Sequence, residues 1–374
     1  MRLDNLTDMQ AGYTMGVDKD AREHLVVCIK GTFNLPKNGK APQLAEEQVP
    51  LVEADTFTGE AGLSAPVYES DFAPGKPRCD ILLNGSAYAR GGKPATKVPV
   101  GLRFGQMQKA FNVIGDRVWE CSLLGTKASW AKPFVRMPIN YDRAFGGVDD
   151  SQKRPEKVRA VPGNPVGVGY HHYISREVVD GKPLPNTEEF KHRITTPDKK
   201  YRPMSYGPIG RGWQPRASLA GTYDQNWIDN IFPFLPTDFD NAYFQAAPLD
   251  QQVPYPQGGE LVMLTNLSPE GRVAFTFPRI NLLVWFFRRN GEETEERAVV
   301  DTVMLEPDLE RFTVTCRAST PLKKNMLEMQ LVVAGYDPAD KLKIMPDARV
   351  RFPLMPDDKN RTDGKQSAGG GIDD

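Results

Sequence analysis

Apolar residues recur at every second position in several separate stretches of this chain, the spacing of strands that rest one face on a core. Leu25, Val27, Ile29, Phe33 and Leu35 alternate with Lys30, Thr32 and Asn34, and Pro36 with the Lys37-Asn38-Gly39 turn ends the run. Cys79, Ile81, Leu83, Gly85 and Ala87 repeat the pattern against Asp80, Asn84 and Ser86. A further segment runs from Phe111 to Trp119, with Gly115-Asp116 as a turn or bulge. Together these predict an N-terminal antiparallel β domain over residues 1–137.

The same theme returns in residues 258–355, which are expected to form a C-terminal β domain. Gly259–Leu264 and Val273–Phe277 flank the Pro269-Glu270-Gly271 turn. Leu282–Arg288 is expected to pair with Arg297–Met304 across Asn290-Gly291. Phe312, Val314, Cys316 and Ala318 alternate with Thr313, Thr315 and Arg317, and Leu327, Met329, Leu331 and Val333 form a last strand. Short strands of this kind predict a mainly β protein of two antiparallel units, sandwich or barrel, a choice the pattern leaves open.

Residues 138–257 differ. They show little periodicity, are dense in Pro and Gly, and are loaded with Tyr, Trp and Arg. One short helix is expected, with Thr222 and Gln225 as a capping box, Trp227, Ile228 and Ile231 as an apolar face, and Pro233 as its stop. A connection this long without order is foreign to a compact domain, so an ordered, packed irregular region is expected. The segment 356–374 is polar, charged and Gly-rich, and is expected to be disordered.

Charge narrows the partners. Against 48 Asp+Glu stand 47 Lys+Arg, so the surplus of cations that nucleic acid or an anionic membrane needs is missing. The most apolar stretch, Ile280–Phe287, is far shorter than the roughly 20 residues of a membrane span. The start MRLDNLTDMQ is polar where a signal peptide has its apolar core, so a cytoplasmic protein without membrane insertion is expected. The cysteines at 28, 79, 121 and 316 form no C-x-x-C pair and read as small hydrophobes.

No catalytic motif emerges. There is no G-x-S-x-G elbow. The Gly85–Pro94 stretch departs from a phosphate loop, with Pro94 after Lys93 and Arg90 at the second Gly position. His171 and His172 are adjacent, so a strand would point them apart, and they have no metal-ligand spacing. Asp238 and Asp240, with Asp224 and Asp250 near, suit loop capping, calcium binding or the paired carboxylates of a carbohydrate hydrolase, and loop capping is the expected role. No cofactor or metal is expected. What stands out is a composition suited to recognition: Asp142, Arg143 and Phe145 in one cluster, and Trp213, Arg216, Tyr223, Asp224 and Trp227 in another. Trp, Tyr and Arg dominate interface hot spots, although core packing accounts for the same residues.

A series of segments then carries a family resemblance: SDFAPGKPRCDILLNGSAYA, YDRAFGG (Tyr141 to Gly147), NPVGVGY (Asn164 to Tyr170), LPN (Leu184 to Asn186), YGPIGRGWQPRASLAGTYDQNW (Tyr206 to Trp227), LPTDFDNAYFQAAPLDQ (Leu235 to Gln251) and GGELVMLTNLSPEG (Gly258 to Gly271). The series, running from Gly12 to Ala334, resembles a bacterial domain-of-unknown-function family (number twenty-one sixty-nine). That resemblance implies an association with type VI secretion in a Gram-negative bacterium. The implied role is an effector adaptor or chaperone, which binds a toxic effector and helps load it onto the spike or its PAAR tip. It implies no catalytic residues. Two alternatives stay open, the Asp-pair hydrolase and a structural part of the spike.

Overall fold

The longest strand explains the architecture best. β3 (Glu23–Asn34) alternates as the sequence predicts, with Leu25, Val27, Ile29 and Phe33 in an apolar core. Its other face is buried as well: Lys30 is 4% exposed and Thr32 1%. In this computed structural model, which describes residues 1–335 except 38, 39, 124 and 153, the two faces meet two different layers. The tail 356–374, expected to be disordered, lies outside the described residues.

β3 sits in a seven-stranded sheet with β2 (Gln10–Val17) at one edge and, on its other side, Arg311–Pro321, Val299–Glu306, Cys79–Leu83 and Gln252–Val253; Gln43–Leu44 also pairs with β3. A five-stranded sheet orders Thr187–Glu188, Met107–Ile114, Lys97–Phe104, Leu261–Thr265 and Arg272–Thr276. A four-stranded sheet orders β1 (Arg2–Asn5), Met329–Ala334, Leu283–Arg288 and Glu293–Arg297. Apolar side chains from all three sheets close one core, including Ile29, Phe104, Phe111, Val262, Phe286 and Phe312. Phe312 stacks on Phe33 at 5.1 Å and on Phe275 at 5.3 Å between ring centroids. The protein is mainly β, as the periodicity predicts.

The strands do not keep to the two separate domains that the boundaries at 137 and 258 suggest. Cys79–Leu83 pairs in parallel with Val299–Glu306, and β3 pairs with Arg311–Pro321 over its whole length. Lys97–Phe104 pairs with Leu261–Thr265. Residues 1–335 therefore form one compact unit. Hydrogen-bonded pairing is blind to sequence distance, and burying both ends in one core removes more apolar surface from water than two small cores.

Two local expectations are corrected. Leu283–Arg288 pairs across the Asn290-Gly291 turn with Glu293–Arg297, not with Arg297–Met304. The polar strand ETEER takes the edge, while Val299–Glu306 crosses to the large sheet and buries Val300, Val303 and Leu305. The last strand among the described residues is Met329–Ala334, and Leu327 lies outside it, 77% exposed in a 3-10 turn.

Residues between the two β-rich ends are irregular but ordered. They form two-residue bridges, 3-10 turns and two short helices, Arg176–Val179 and Gln225–Asn230. Much of this layer, with residues 48–78, covers the polar face of the large sheet. Asp71 accepts from Lys30 Nζ at 2.8 Å, Thr315 Oγ1 at 3.0 Å and the Val52 amide at 2.8 Å. Asp80 accepts from Lys76 Nζ at 2.7 Å, Gln245 Nε2 at 2.6 Å and the Ala246 amide at 2.8 Å. Gln251 donates to the Ile81 and Tyr206 carbonyls at 2.7 and 2.9 Å and accepts from Lys109 Nζ at 2.6 Å. Burial lowers the Lys109 ammonium to about 8, with the charge of Asp250 opposing the shift. These bonds take the place of apolar packing: the buried Asp71, Asp80 and Gln251 side chains are each held by several partners, and the irregular segments are fixed to the sheet.

Candidate functional site

The recognition cluster of the sequence separates into struts and a surface. Asp142 lies in the 3-10 turn Tyr141–Arg143 and accepts from Thr58 Oγ1 at 2.6 Å and the Ala65 amide at 2.9 Å. Arg143 donates to Asn186 Oδ1 at 3.0 Å. Phe145 is fully buried, edge-on to Tyr170 and Tyr201 at 6.2 and 5.1 Å. The motif around them is a backbone clasp: Asn164 Nδ2 donates to the Tyr141 and Phe145 carbonyls at 2.9 and 3.0 Å. A Cβ added at Gly146 would sit 2.1 Å from the Asn164 carbonyl oxygen, so only glycine fits there.

Trp213 and Arg216 are also internal. Trp213 packs edge-on to Tyr141 at 5.5 Å and is 7% exposed. Arg216 is 2% exposed and donates to the Tyr243 and Ile209 carbonyls at 2.7 and 2.8 Å and to the Glu69 carboxylate. Its guanidinium also lies over the Tyr243 ring, 5.6 Å from the centroid. Arg211 beside it holds Asp55 at 2.8 Å. Burial raises the Asp55 carboxyl, but the Arg211 hydrogen bond, the Ser70 amide and the charges of Arg211 and Arg216 together outweigh it, leaving the pKa below its usual value. A hollow of about 420 Å³ opens against this group, lined in part by Phe57, Pro66, Pro165 and Trp213.

The third part faces outward. The helix Gln225–Asn230 forms as expected, but its cap is Asp224, whose Oδ1 accepts from the Trp227 amide at 2.9 Å. Thr222 instead binds Asp238, with Oγ1 to Oδ2 at 2.7 Å and its amide to Oδ1 at 2.9 Å. The carboxylate is the stronger acceptor and sits next to the helix start, so it displaces the expected capping box. The apolar face of the helix packs on nothing inside: the helix contains no buried residue. Tyr223, Ile228, Phe232 and Phe234 are 53%, 55%, 66% and 47% exposed. Trp227, half-buried, organises them, edge-on to Tyr223 at 4.7 Å and to Phe232 at 5.5 Å, with its indole N–H donating to the Phe234 carbonyl at 2.8 Å. The result is a platform of exposed aromatic rings arranged around Trp227.

Asp238 and Asp240 have local tasks. Asp238 fastens Thr222, and its pKa falls below the usual value because of the Thr222 hydroxyl and amide bonds. Asp240 caps the 3-10 turn Asn241–Phe244 through the Ala242 amide at 2.8 Å. Both carboxylates serve as loop caps. Among the described residues no three His, Cys, Asp or Glu side chains gather to hold a metal. Cys28, Cys79 and Cys316 are buried thiols, and burial pushes the Cys28 thiol up to about 11. No helix among the described residues is long and apolar enough to cross a membrane.

Sequence reasoning named Tyr223, Asp224 and Trp227 but missed Phe232 and Phe234. The signal was present: in IFPFLP, aromatic residues alternate with prolines that forbid a helix or a central strand, leaving the rings without a regular core position.

Fold and surface together describe a strand-rich protein, with an irregular layer fastened by buried polar groups and a rim of exposed rings. The chain belongs to the family described as an uncharacterized protein conserved in bacteria (DUF2169), whose family model matches residues 20–317. Comparison with curated proteins and with solved structures gave no match.

Proposed function

We propose that this protein binds another protein through the aromatic platform at Tyr223–Phe234 and acts as an adaptor. In the reading that the family resemblance favours, the cargo is a toxic effector of type VI secretion, handed to the spike or its PAAR tip. The observation that carries the binding role is the cluster of Tyr223, Ile228, Phe232 and Phe234, exposed together around half-buried Trp227 on a capped, hydrogen-bonded turn. Exposed apolar groups that adjoin one another mark interaction surfaces, and rigid aromatic rings lose little entropy on binding. A free adaptor also has to release its cargo, which suits a compact surface better than an extensive obligate interface.

The test is affinity purification from the native bacterium under secreting conditions, comparing wild type with a Trp227→Ala/Phe232→Ala double variant. An effector or spike component that wild type retains and the folded variant loses supports the proposal. Retention by both, or recovery of neither component, overturns it. Permanent stoichiometric incorporation into purified spikes would favour a structural part over an adaptor.

A further inference from the structure

β2 forms one edge of the seven-stranded sheet: it pairs with β3, from Gln10↔Lys30 to Val17↔Glu23, and with no other strand among the described residues. The Asp18 amide donates to the Arg22 carbonyl at 3.0 Å, which makes 18 and 22 a hydrogen-bonded pair. Such pairs alternate along an antiparallel ladder. Gln10, Gly12, Thr14 and Gly16 therefore turn their backbone groups toward β3, and Ala11, Tyr13, Met15 and Val17 turn theirs outward. Edges of this kind are normally blunted by charge, proline or a bulge. β2 has none of these: QAGYTMGV is uncharged and proline-free, and its register with β3 is unbroken. Tyr13, Met15 and Val17 are 41%, 40% and 39% exposed, on the side that β3 gives to the core.

The geometry points to an isologous pairing of β2 with β2 of a second copy of this chain. The antiparallel register that matches every outward residue sets Ala11 opposite the partner's Val17 and Tyr13 opposite the partner's Met15. The two-fold axis passes through Thr14. Each match is self-complementary: small against branched, ring against thioether, and threonine against threonine at the axis. Gly12 faces the partner's Gly16, and within the strand no charge meets its like. Two strands of eight residues bury less than the roughly 1,000 Å² of a lasting interface, so this dimer is weak and concentration-dependent.

Sedimentation of the purified full chain tests this directly. Wild type dimerises reversibly on approaching about 100 μM, in the range of weak strand addition. Met15→Lys, a change at an exposed side chain, weakens the association at least tenfold while the melting temperature stays near wild type. A Cys121→Ser background removes the one cysteine that is not buried. In it, Thr14→Cys forms an interchain disulfide under mild oxidation, because the two Cα atoms lie about 4.5 Å apart at a non-hydrogen-bonded position. Val17→Cys, far from its own counterpart, does so much more slowly. A chain that stays monomeric at several times that concentration overturns the inference. So does a dimer indifferent to Met15→Lys, or equal crosslinking at positions 14 and 17. Slow exchange of the Tyr13 and Met15 amides in a monomer assigns the edge to another segment and also overturns it.

Discussion

The Lys30 ammonium lies 2.8 Å from the Asp71 carboxylate, with both side chains more than nine-tenths enclosed. This contact ties the second layer of the protein to its central strand. Asp71 also gathers the Val52 amide and the Thr315 hydroxyl, and its carbonyl receives the Arg317 guanidinium and the Cys28 thiol. Removing one partner of such a pair leaves a charge buried without compensation. Asp71→Ala is expected to cost about 3–5 kcal/mol in chemical denaturation. The double change Lys30→Met/Asp71→Leu is expected to recover a substantial part of that loss. Equal stability of Asp71→Ala and wild type would show that water reaches the site.

The tryptophans at 213 and 227 are expected to respond to very different degrees. Trp213→Ala opens a cavity against Tyr141 and is expected to destabilise by about 3–5 kcal/mol. Trp227→Ala loses one hydrogen bond and two exposed ring contacts, and is expected to cost about 1 kcal/mol. Thermal unfolding separates the two, and the order of the losses decides whether 213 or 227 belongs to the core.

Arg216 reaches two carbonyls and a carboxylate through the fork of its guanidinium. Lysine has the charge without the fork, so Arg216→Lys is expected to be nearly as unstable as Arg216→Met. Both are expected to lose about 3 kcal/mol or more. A lysine variant that unfolds like wild type would mean that charge alone suffices.

Asp18, at the turn between β2 and β3, supplies a pH dependence. Burial raises its carboxyl, but the bonds from the Arg22 and Asp20 amides and from His24 prevail and bring it to about 2. A depressed carboxyl contributes stability above its ordinary pKa of 3.8 and loses it as pH falls toward 2. Asp18→Asn is thus expected to lower the melting temperature at pH 7, and the gap to wild type is expected to close between pH 4 and pH 2. A gap that persists at the lowest pH would assign the effect to turn geometry.

Much of the fold is legible in the sequence, for a local reason. Ile29, Val314 and Leu331 lie at alternate positions because a pleated strand turns every second side chain the same way. The helix at Trp227 was legible from its stop at Pro233, although its capping residue was not, since Thr222 and Asp224 compete and only the nearby Asp238 decides between them. For the candidate site, residue type marked where recognition side chains gather. It did not separate Trp213, buried against Tyr141, from Trp227, on the rim.

The sequence by itself determined the strand periodicity, the turns at glycine and proline, the family and the irregular character of residues 138–257. These follow from backbone geometry and from residue identity within a few positions. Only the tertiary structure decided that Cys79–Leu83 lies beside Val299–Glu306, that the two β-rich ends share one core, and that Lys30, Thr32, Asp80 and Arg317 are buried. Alternation assigns a residue to one side of a sheet but says nothing about what lies against that side. On β3 a polar residue reads as facing solvent, until a segment about 41 positions away in sequence brings Asp71 to cover it.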